Sequence, residues 1–132
     1  MKAKTIISVL FVLGSQFASA NAVDDMFSEY KKSGVTNISE QQGKTLWTKK
    51  FTNKKTGKLQ SCTTCHGNNL KKAGKHVKTG KLIEPMAASV NSKRYTKVKT
   101  MKKWFKRNCK WTIGRECSAQ EQADILAYLI KQ

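Results

Sequence analysis

Two cysteines and a histidine fall within five consecutive residues, Cys62-Thr63-Thr64-Cys65-His66. The Cys-x-x-Cys-His pattern is the attachment signal for c-type haem, because two thiols at this spacing can add across the two vinyl groups of one haem. The adjacent histidine then lies beneath the iron as its proximal ligand. The sequence therefore predicts one covalent haem c, held by Cys62 and Cys65, with His66 on the iron.

The same cysteine spacing occurs in thioredoxin-like redox pairs and in halves of zinc sites. A redox pair requires a strand-to-helix setting within an α/β pattern, which this sequence does not show. Zinc requires two further ligands at suitable spacing, and only His76 is nearby. The surrounding sequence therefore favours haem attachment.

Residues 1–20 have the pattern of an export signal, with two lysines, an apolar run over 6–13 and a small-residue cleavage site at 18–20. We expect cleavage after Ala20, which leaves residues 21–132 as one cytochrome c domain in the periplasm. No stretch reaches the roughly 20 apolar residues of a membrane helix, so membrane insertion is not expected.

The formal net charge is +18, and removal of the two signal lysines, Lys2 and Lys4, leaves +16. Such a charge predicts an acidic partner. Nucleic acid is the usual first candidate, but an exported protein rarely meets it, and no nucleic-acid-binding motif is visible. We therefore expect an acidic redox protein that is attracted by long-range electrostatics.

Hydrophobic periodicity predicts an all-α chain. Ser39 with Gln42, and Ser118 with Glu121, have the spacing of capping boxes at helix starts. The expected helices run over about 24–33, 40–51, 97–108 and from Ser118 to about Ile130.

Two polar segments, 52–61 and 67–80, are predicted to be loops on either side of the haem motif. Further along, Pro85 disfavours helical geometry at the residue before it. A helix through Glu84 is therefore not expected.

The two remaining cysteines are Cys109 and Cys117. Export to an oxidising compartment permits a disulfide. If haem consumes the first cysteine pair, the second pair is left to bond with itself and to close a loop over 110–117, which is worth roughly 2 to 3 kcal/mol in chain entropy.

The flanking helices resemble the terminal helices of class I cytochromes c. In those proteins, a glycine on the first helix admits an aromatic ring from the last. The resemblance implies an all-α, class I cytochrome c-like fold around one haem, with Gly43 facing Tyr128. The residues that carry it are Gly43, Leu46 and Trp47, then Ile125, Leu126, Tyr128 and Leu129.

The sixth ligand of the iron is not evident from the sequence. In class I cytochromes c the loop before the last helix supplies a methionine, but here residues 110–116 contain neither methionine nor histidine. Met86, His76 and Asn108 remain as candidates, while Met101 is expected in the core. The Asn108 amide lies toward the apolar side of its helix, where it either meets iron or caps the helix end.

Three segments, at 79–85, 103–109 and 114–117, closely resemble the sphaeroides haem protein family, and the likeness covers roughly the last seventy residues. Members are small high-spin c-type cytochromes in which an asparagine lies on the distal side of the haem, next to a cysteine in an unusual disulfide. The resemblance implies Asn108 as the distal ligand beside a bridge from Cys109 to Cys117.

In that family the amide ligates ferric iron and moves away on reduction, which opens the site to oxygen, carbon monoxide or nitric oxide. A dihaem c-type cytochrome supplies the electrons. The resemblance thus implies a periplasmic monohaem cytochrome that accepts electrons and binds small diatomic gases. The alternative is a simple low-spin electron carrier with Met86 or His76 as permanent sixth ligand. Catalytic turnover of a gas stays open as a third function, although no general acid or base that would support it is evident near the haem.

Overall fold

The computed structural model describes residues 17–54 and 56–132, so that most of the predicted export signal, residues 1–16, lies outside the described residues. Within this part, four two-residue strands form two antiparallel hairpins, β1 (Phe51–Thr52) with β2 (Leu59–Gln60) and β3 (Gly74–Lys75) with β4 (Leu82–Ile83). The five helices of the same part are α1 (Phe17–Lys32), α2 (Glu40–Thr48), α3 (Thr63–His66), α4 (Val98–Thr112) and α5 (Ala119–Ile130).

The predicted all-α character is confirmed in the main elements, with corrections at their ends. The helix expected from residue 24 already begins at Phe17, and the backbone of the predicted cleavage site at Ala20 lies in that helix. The helix expected to reach residue 51 ends at Thr48. It stops early because Phe51 pairs with Gln60 in the first hairpin, and neither hairpin was predicted.

Helices α2 and α5 approach each other backbone to backbone at Gly43. A Cβ atom at this position would lie 1.9 Å from the carbonyl oxygen of Asp124. The Asp124 side chain adds a second contact, because its Oδ1 accepts a hydrogen bond from the backbone N–H of Ser39 at 2.7 Å. Gly43 is therefore required by the close approach of the two helices.

The closest approach at Gly43 is to the backbone of α5 and not to the Tyr128 ring that was predicted to face it. The atoms nearest to a Cβ at Gly43 belong to the backbone of Asp124 and Ile125. The Tyr128 ring packs instead on Trp47, with ring centroids 6.3 Å apart. The glycine admits the neighbouring helix itself, since Tyr128 lies one turn further along α5.

The two predicted capping boxes have different outcomes. At α5 the box is complete, because Ser118 Oγ accepts from the Glu121 N–H and Glu121 accepts from the Ser118 N–H. The Glu121 carboxylate also accepts two hydrogen bonds from Arg115 at 2.7 Å, and this pairing lowers the pKa of Glu121. At α2, Ser39 Oγ accepts from Gln42, but the Ser39 N–H is taken by α5.

Helix α4 continues four residues beyond its predicted end at Asn108. The predicted loop over 110–117 therefore begins with a helical turn, and Asn108 is not a C-cap. Two amides explain the extension, because the side chains of Asn53 and Gln60 donate hydrogen bonds to the Trp111 carbonyl. Carbonyls in the last turn of a helix lack partners within the helix, so these amides stabilise the added turn.

The segment around Pro85 is not helical, as predicted. The N–H groups of Met86 and Ala87 both donate to the Leu70 carbonyl at 2.9 Å. This hydrogen bonding fixes the segment against the chain that follows the haem motif.

Among the described residues, the core consists of two hydrophobic clusters. Met101 is 6% exposed in the second cluster, which confirms its predicted place in the core. None of the helices in the described part of the chain has both the length and the apolar content needed to cross a bilayer. The first cluster is Trp47, Leu70, Ala87, Cys109, Cys117, Ile125, Tyr128 and Leu129. The second is Ala22, Met26, Tyr30, Val35, Met101, Ala123 and Leu126.

The α2 and α5 contact gives a direct test of the fold. We expect Gly43→Ala to lower the free energy of unfolding by about 2 to 3 kcal/mol, because the new methyl group meets backbone atoms that cannot turn aside. The better helix propensity of alanine, about 1 kcal/mol, does not offset this. Guanidinium unfolding of the haem-loaded protein measures the change. Lys44→Ala, at the next and exposed position, is the control, and equal stabilities for both variants would contradict the packing.

Candidate haem site

A cavity of about 1740 Å³ is lined by residues of α2, α3 and α4. Well-packed protein interiors contain few voids larger than a water molecule, and pockets for drug-sized ligands measure roughly 300 to 1,000 Å³. The cavity therefore has room for a large group. Its lining includes Trp47 of α2, Cys62 and His66 at α3, and Asn108 and Trp111 of α4.

One helical turn brings the predicted attachment residues together. Helix α3 begins after Cys62, and the N–H of His66 donates to the Cys62 carbonyl at 3.1 Å. Cys62, Cys65 and His66 all line the cavity, and the two cysteines are not bonded to each other. The pentapeptide thus presents two thiols and an imidazole to one space, as haem attachment requires.

The chemistry of the first cysteine speaks against a dithiol redox site. Burial raises the pKa of the Cys62 thiol to about 12, whereas reactive thiols have a lowered pKa. Within residues 17–54 and 56–132, no three His, Cys, Asp or Glu side chains are grouped closely enough to hold a metal ion.

Gly74 supports the attachment turn from behind. A Cβ at this position would lie 2.2 Å from the Cys65 carbonyl oxygen and 2.9 Å from the His66 Cα. Strand β3 can lie against α3 only because residue 74 has no side chain. Sequence reasoning missed this role, since a lysine-rich loop with several glycines does not indicate which of them meets the haem motif.

The His66 ring has the properties of a metal ligand. Burial, and next the charge of Arg94, lower the pKa of His66 to about 4, so the ring is neutral at pH 7 and keeps a lone pair. Its Nδ1 and the indole Nε1 of Trp47 are buried without a hydrogen-bond partner among the described residues. The two rings lie 5.3 Å apart. Buried polar atoms require partners, so these two nitrogens indicate that the cavity binds a further group. The two thiols and the neutral His66 ring fit a haem as that group.

Asn108 lies on α4 at the cavity wall. Its neighbour Cys109 is joined to Cys117, with the sulfurs 1.96 Å apart and the Cα atoms 5.6 Å apart. The structure therefore places the predicted bridge directly beside Asn108. Because α4 extends to Thr112, the Asn108 backbone belongs to the helix, and its side chain is available to the cavity.

The other candidate ligands also line the cavity. Met86 is half-buried, and its carbonyl accepts a hydrogen bond from the Tyr95 hydroxyl at 2.7 Å. His76 is half-buried, and its Nδ1 accepts a hydrogen bond from the Thr79 N–H at 3.2 Å. In a neutral imidazole that accepts at Nδ1, the proton sits on Nε2. The lone pair of Nδ1 is then engaged by the Thr79 N–H, and protonated Nε2 has none for iron.

Arg94 and Tyr95 form a part of the cavity edge that sequence reasoning missed. The Arg94 side chain donates to the carbonyls of Pro85 at 2.9 Å and Glu84 at 2.6 Å. Tyr95 has a φ of 58° and packs against both hydrophobic clusters. These two residues hold the segment before Met86 in place, and no periodicity or motif in the sequence marks them.

The basic face of α4 is partly neutralised by ion pairs. Lys102 pairs with Glu29, while Lys106 and Lys110 lie 3.6 Å and 3.0 Å from Glu116. Such exposed pairs contribute little to stability. The 45% exposed Trp104 lies on the same helix, with Lys103 and Arg107 cations 5.8 Å and 5.2 Å from its ring. This face therefore combines positive charge with one exposed aromatic ring.

This chain is similar to two named c-type cytochromes and to one family of undescribed function. The family described as a domain of unknown function, DUF1924, matches residues 33–129. Cytochrome c'' of Methylophilus methylotrophus is 34% identical, with the match covering 100% of this chain and 96% of that protein. Cytochrome c-type protein SHP of Cereibacter sphaeroides is 34% identical, with 90% of this chain and 91% of that protein covered.

Solved structures of the same two proteins share the fold. Oxidised SHP, described as an oxygen-binding cytochrome c, aligns with a TM-score of 0.74 at 35% identity, covering 83% of this chain and 96% of that one. The solution structure of cytochrome c'' aligns with a TM-score of 0.75 at 30% identity, covering 86% and 95%. The latter was described for its insights into haem-ligand detachment.

Proposed function

This chain belongs to the DUF1924 family and is a c-type cytochrome with one covalent haem c, and from that premise we propose that it accepts an electron and binds small diatomic ligands. The ligands are oxygen, nitric oxide and carbon monoxide. The observation that carries the proposal is the position of Asn108 on the α4 wall of the cavity, beside the Cys109 bridge. No methionine or histidine occupies that part of the helix.

The attachment turn supplies the residues that hold the cofactor. Cys62 and Cys65 provide the thioether sulfurs, and His66 provides the proximal ligand from a ring that is neutral at pH 7. When bound, the haem supplies an iron that exchanges one electron and takes a diatomic ligand where a strong protein ligand is lacking. Trp47 orients the His66 ring by packing 5.3 Å away.

Asn108 acts as a weak and removable ligand. Its amide oxygen is neutral, so it would be held less strongly by a reduced haem iron than by an oxidised one. Because only the side chain would have to move, the α4 backbone around Asn108 would not change. Two structures with this fold support the proposal, since one is described as an oxygen-binding cytochrome c and the other for its insights into haem-ligand detachment.

A simple electron carrier is the second candidate function. Met86 favours it, because this thioether lines the cavity and its backbone is fixed by hydrogen bonds at both N–H and carbonyl. Such a protein would keep a six-coordinate low-spin iron in both oxidation states and would not bind gases.

Two variants separate these functions. We expect Asn108→Ala to change the visible spectrum of the ferric protein, because the amide is lost, and Met86→Leu to leave that spectrum unchanged. Carbon monoxide should shift the Soret band of the reduced wild-type protein. A reduced spectrum that carbon monoxide does not alter, or a ferric spectrum sensitive to Met86→Leu alone, would refute gas binding at the Asn108 side.

The electron donor that we propose is an acidic redox protein, which by resemblance is a dihaem c-type cytochrome. The formal net charge of +16 that remains without Lys2 and Lys4, and the basic residues of α4 beside Trp104 at the rim of the cavity, support an electrostatically guided encounter. Opposite charges raise association rates in this way without requiring high affinity.

We expect reduction by such a donor to slow severalfold between about 0.01 M and 1 M salt, as the screening length falls from about 30 Å to about 3 Å. Stopped-flow mixing measures the rate. Lys103→Glu should slow reduction more than Lys131→Glu, which alters the net charge equally but lies at the end of α5. Equal effects of the two variants would argue against docking at the α4 face.

The compartment that we propose is the periplasm, reached by an export signal over residues 1–20. The apolar run over 6–13 and the small residues at 18–20 support this assignment. Mass spectrometry of the protein recovered from the periplasm should give a polypeptide that begins at Asn21 and carries one haem. A cytoplasmic product that retains Met1 would contradict the assignment.

A further inference from the structure

His76 is held rigidly at the start of the turn between β3 and β4. Its N–H donates to the Lys81 carbonyl at 2.9 Å, and its own carbonyl accepts from the Gly80 N–H at 2.8 Å. Gly80 has a φ of 68°, a conformation that glycine adopts at no steric cost. The hairpin therefore sets the direction of the imidazole rather than leaving it to a mobile loop.

The hydrogen bonds of the ring define its tautomer. A backbone N–H can only donate, so the bond from the Thr79 N–H to Nδ1 requires a lone pair there. The Thr79 hydroxyl, 3.0 Å from the same nitrogen, can donate as well. The neutral ring consequently carries its hydrogen on Nε2, and this group has no hydrogen-bond partner among the described residues.

The contacts of the ring place it at the end of α4. The His76 and Trp111 ring centroids lie 6.3 Å apart, and Trp111 follows Asn108 by one helical turn. His66, in contrast, packs on Trp47 of α2. His76 and Asn108 both line the cavity, so the His76 ring lies where the C-terminal part of α4 borders the cavity.

We propose that His76 donates a hydrogen bond from Nε2 to a diatomic ligand bound on the Asn108 side of the haem, and that this bond selects oxygen over carbon monoxide. The inference rests on the proposed gas binding and assigns one residue to its specificity. Oxygen takes on negative charge when it binds a reduced haem, whereas carbon monoxide takes on little. A donor in a site of low dielectric constant therefore stabilises oxygen preferentially.

The test compares the release of the two gases from the reduced, haem-loaded protein. We expect His76→Leu to release oxygen about tenfold faster, the effect of losing one hydrogen bond of ordinary strength, and to leave carbon monoxide release unchanged. His76→Gln, which restores an N–H donor, should give an intermediate oxygen rate. Thr79→Ala is the control, because it keeps the backbone N–H that fixes the tautomer.

Ring ¹⁵N chemical shifts of His76 in the diamagnetic carbon monoxide form give an independent readout. They should show a hydrogen on Nε2 and a lone pair on Nδ1, and the opposite assignment would overturn the inference. Equal oxygen release from wild-type protein and His76→Leu would also overturn it. A ferric spectrum altered by His76→Leu would do the same, since His76 would then be an iron ligand.

These results distinguish the inference from the proposed function on which it rests. A wild-type protein that binds neither gas would refute gas binding itself. A protein that binds both gases, but releases oxygen at the same rate with and without His76, would refute only the role of this residue.

Discussion

The core of this chain borders a cavity of about 1740 Å³, and the rest of the structure depends on filling it. Tyr95 and Phe105 pack against both hydrophobic clusters and also line the cavity. A void among apolar side chains destabilises a small protein in proportion to its volume. The covalent haem c therefore acts as part of the core. A group that binds only the folded chain also stabilises it, so haem attachment and folding support each other.

The parts of the fold that sequence predicted are those fixed by neighbours in the chain. Ser118 and Glu121 form their box because each satisfies the other across three residues, and Pro85 disrupts helical geometry through its own ring. The predicted end of α4 was wrong because the interactions that extend this helix come from a distant part of the chain. The side-chain amides of Asn53 and Gln60, in the first hairpin, donate hydrogen bonds to the Trp111 carbonyl. No pattern in the sequence near Trp111 indicates these contacts.

In the haem site too, the features set by neighbouring residues were predicted and those set by distant contacts were not. The attachment turn was predicted because haem attachment itself requires the spacing of the two cysteines and the histidine. The structure brings Cys62, Cys65 and His66 to one cavity. The backbone contact of Gly43 was not predicted, since it depends on where α2 crosses α5. The orientation of His76 was also hidden, because only the folded turn shows which ring nitrogen meets the Thr79 N–H.

A disulfide and several hydrogen bonds near Asn108 limit the movement of the main chain at this position. Cys109 is joined to Cys117, and its carbonyl accepts from the Ile113 N–H at 2.7 Å. One turn later the helix is anchored to the hairpin that leads into the haem motif. With the main chain clamped at both points, position 108 retains freedom mainly in two side-chain torsions. Such rotations take picoseconds to nanoseconds, whereas collective shifts of helices take microseconds or longer. Any movement at position 108 is thus restricted to one side-chain amide, while the helix backbone stays in place.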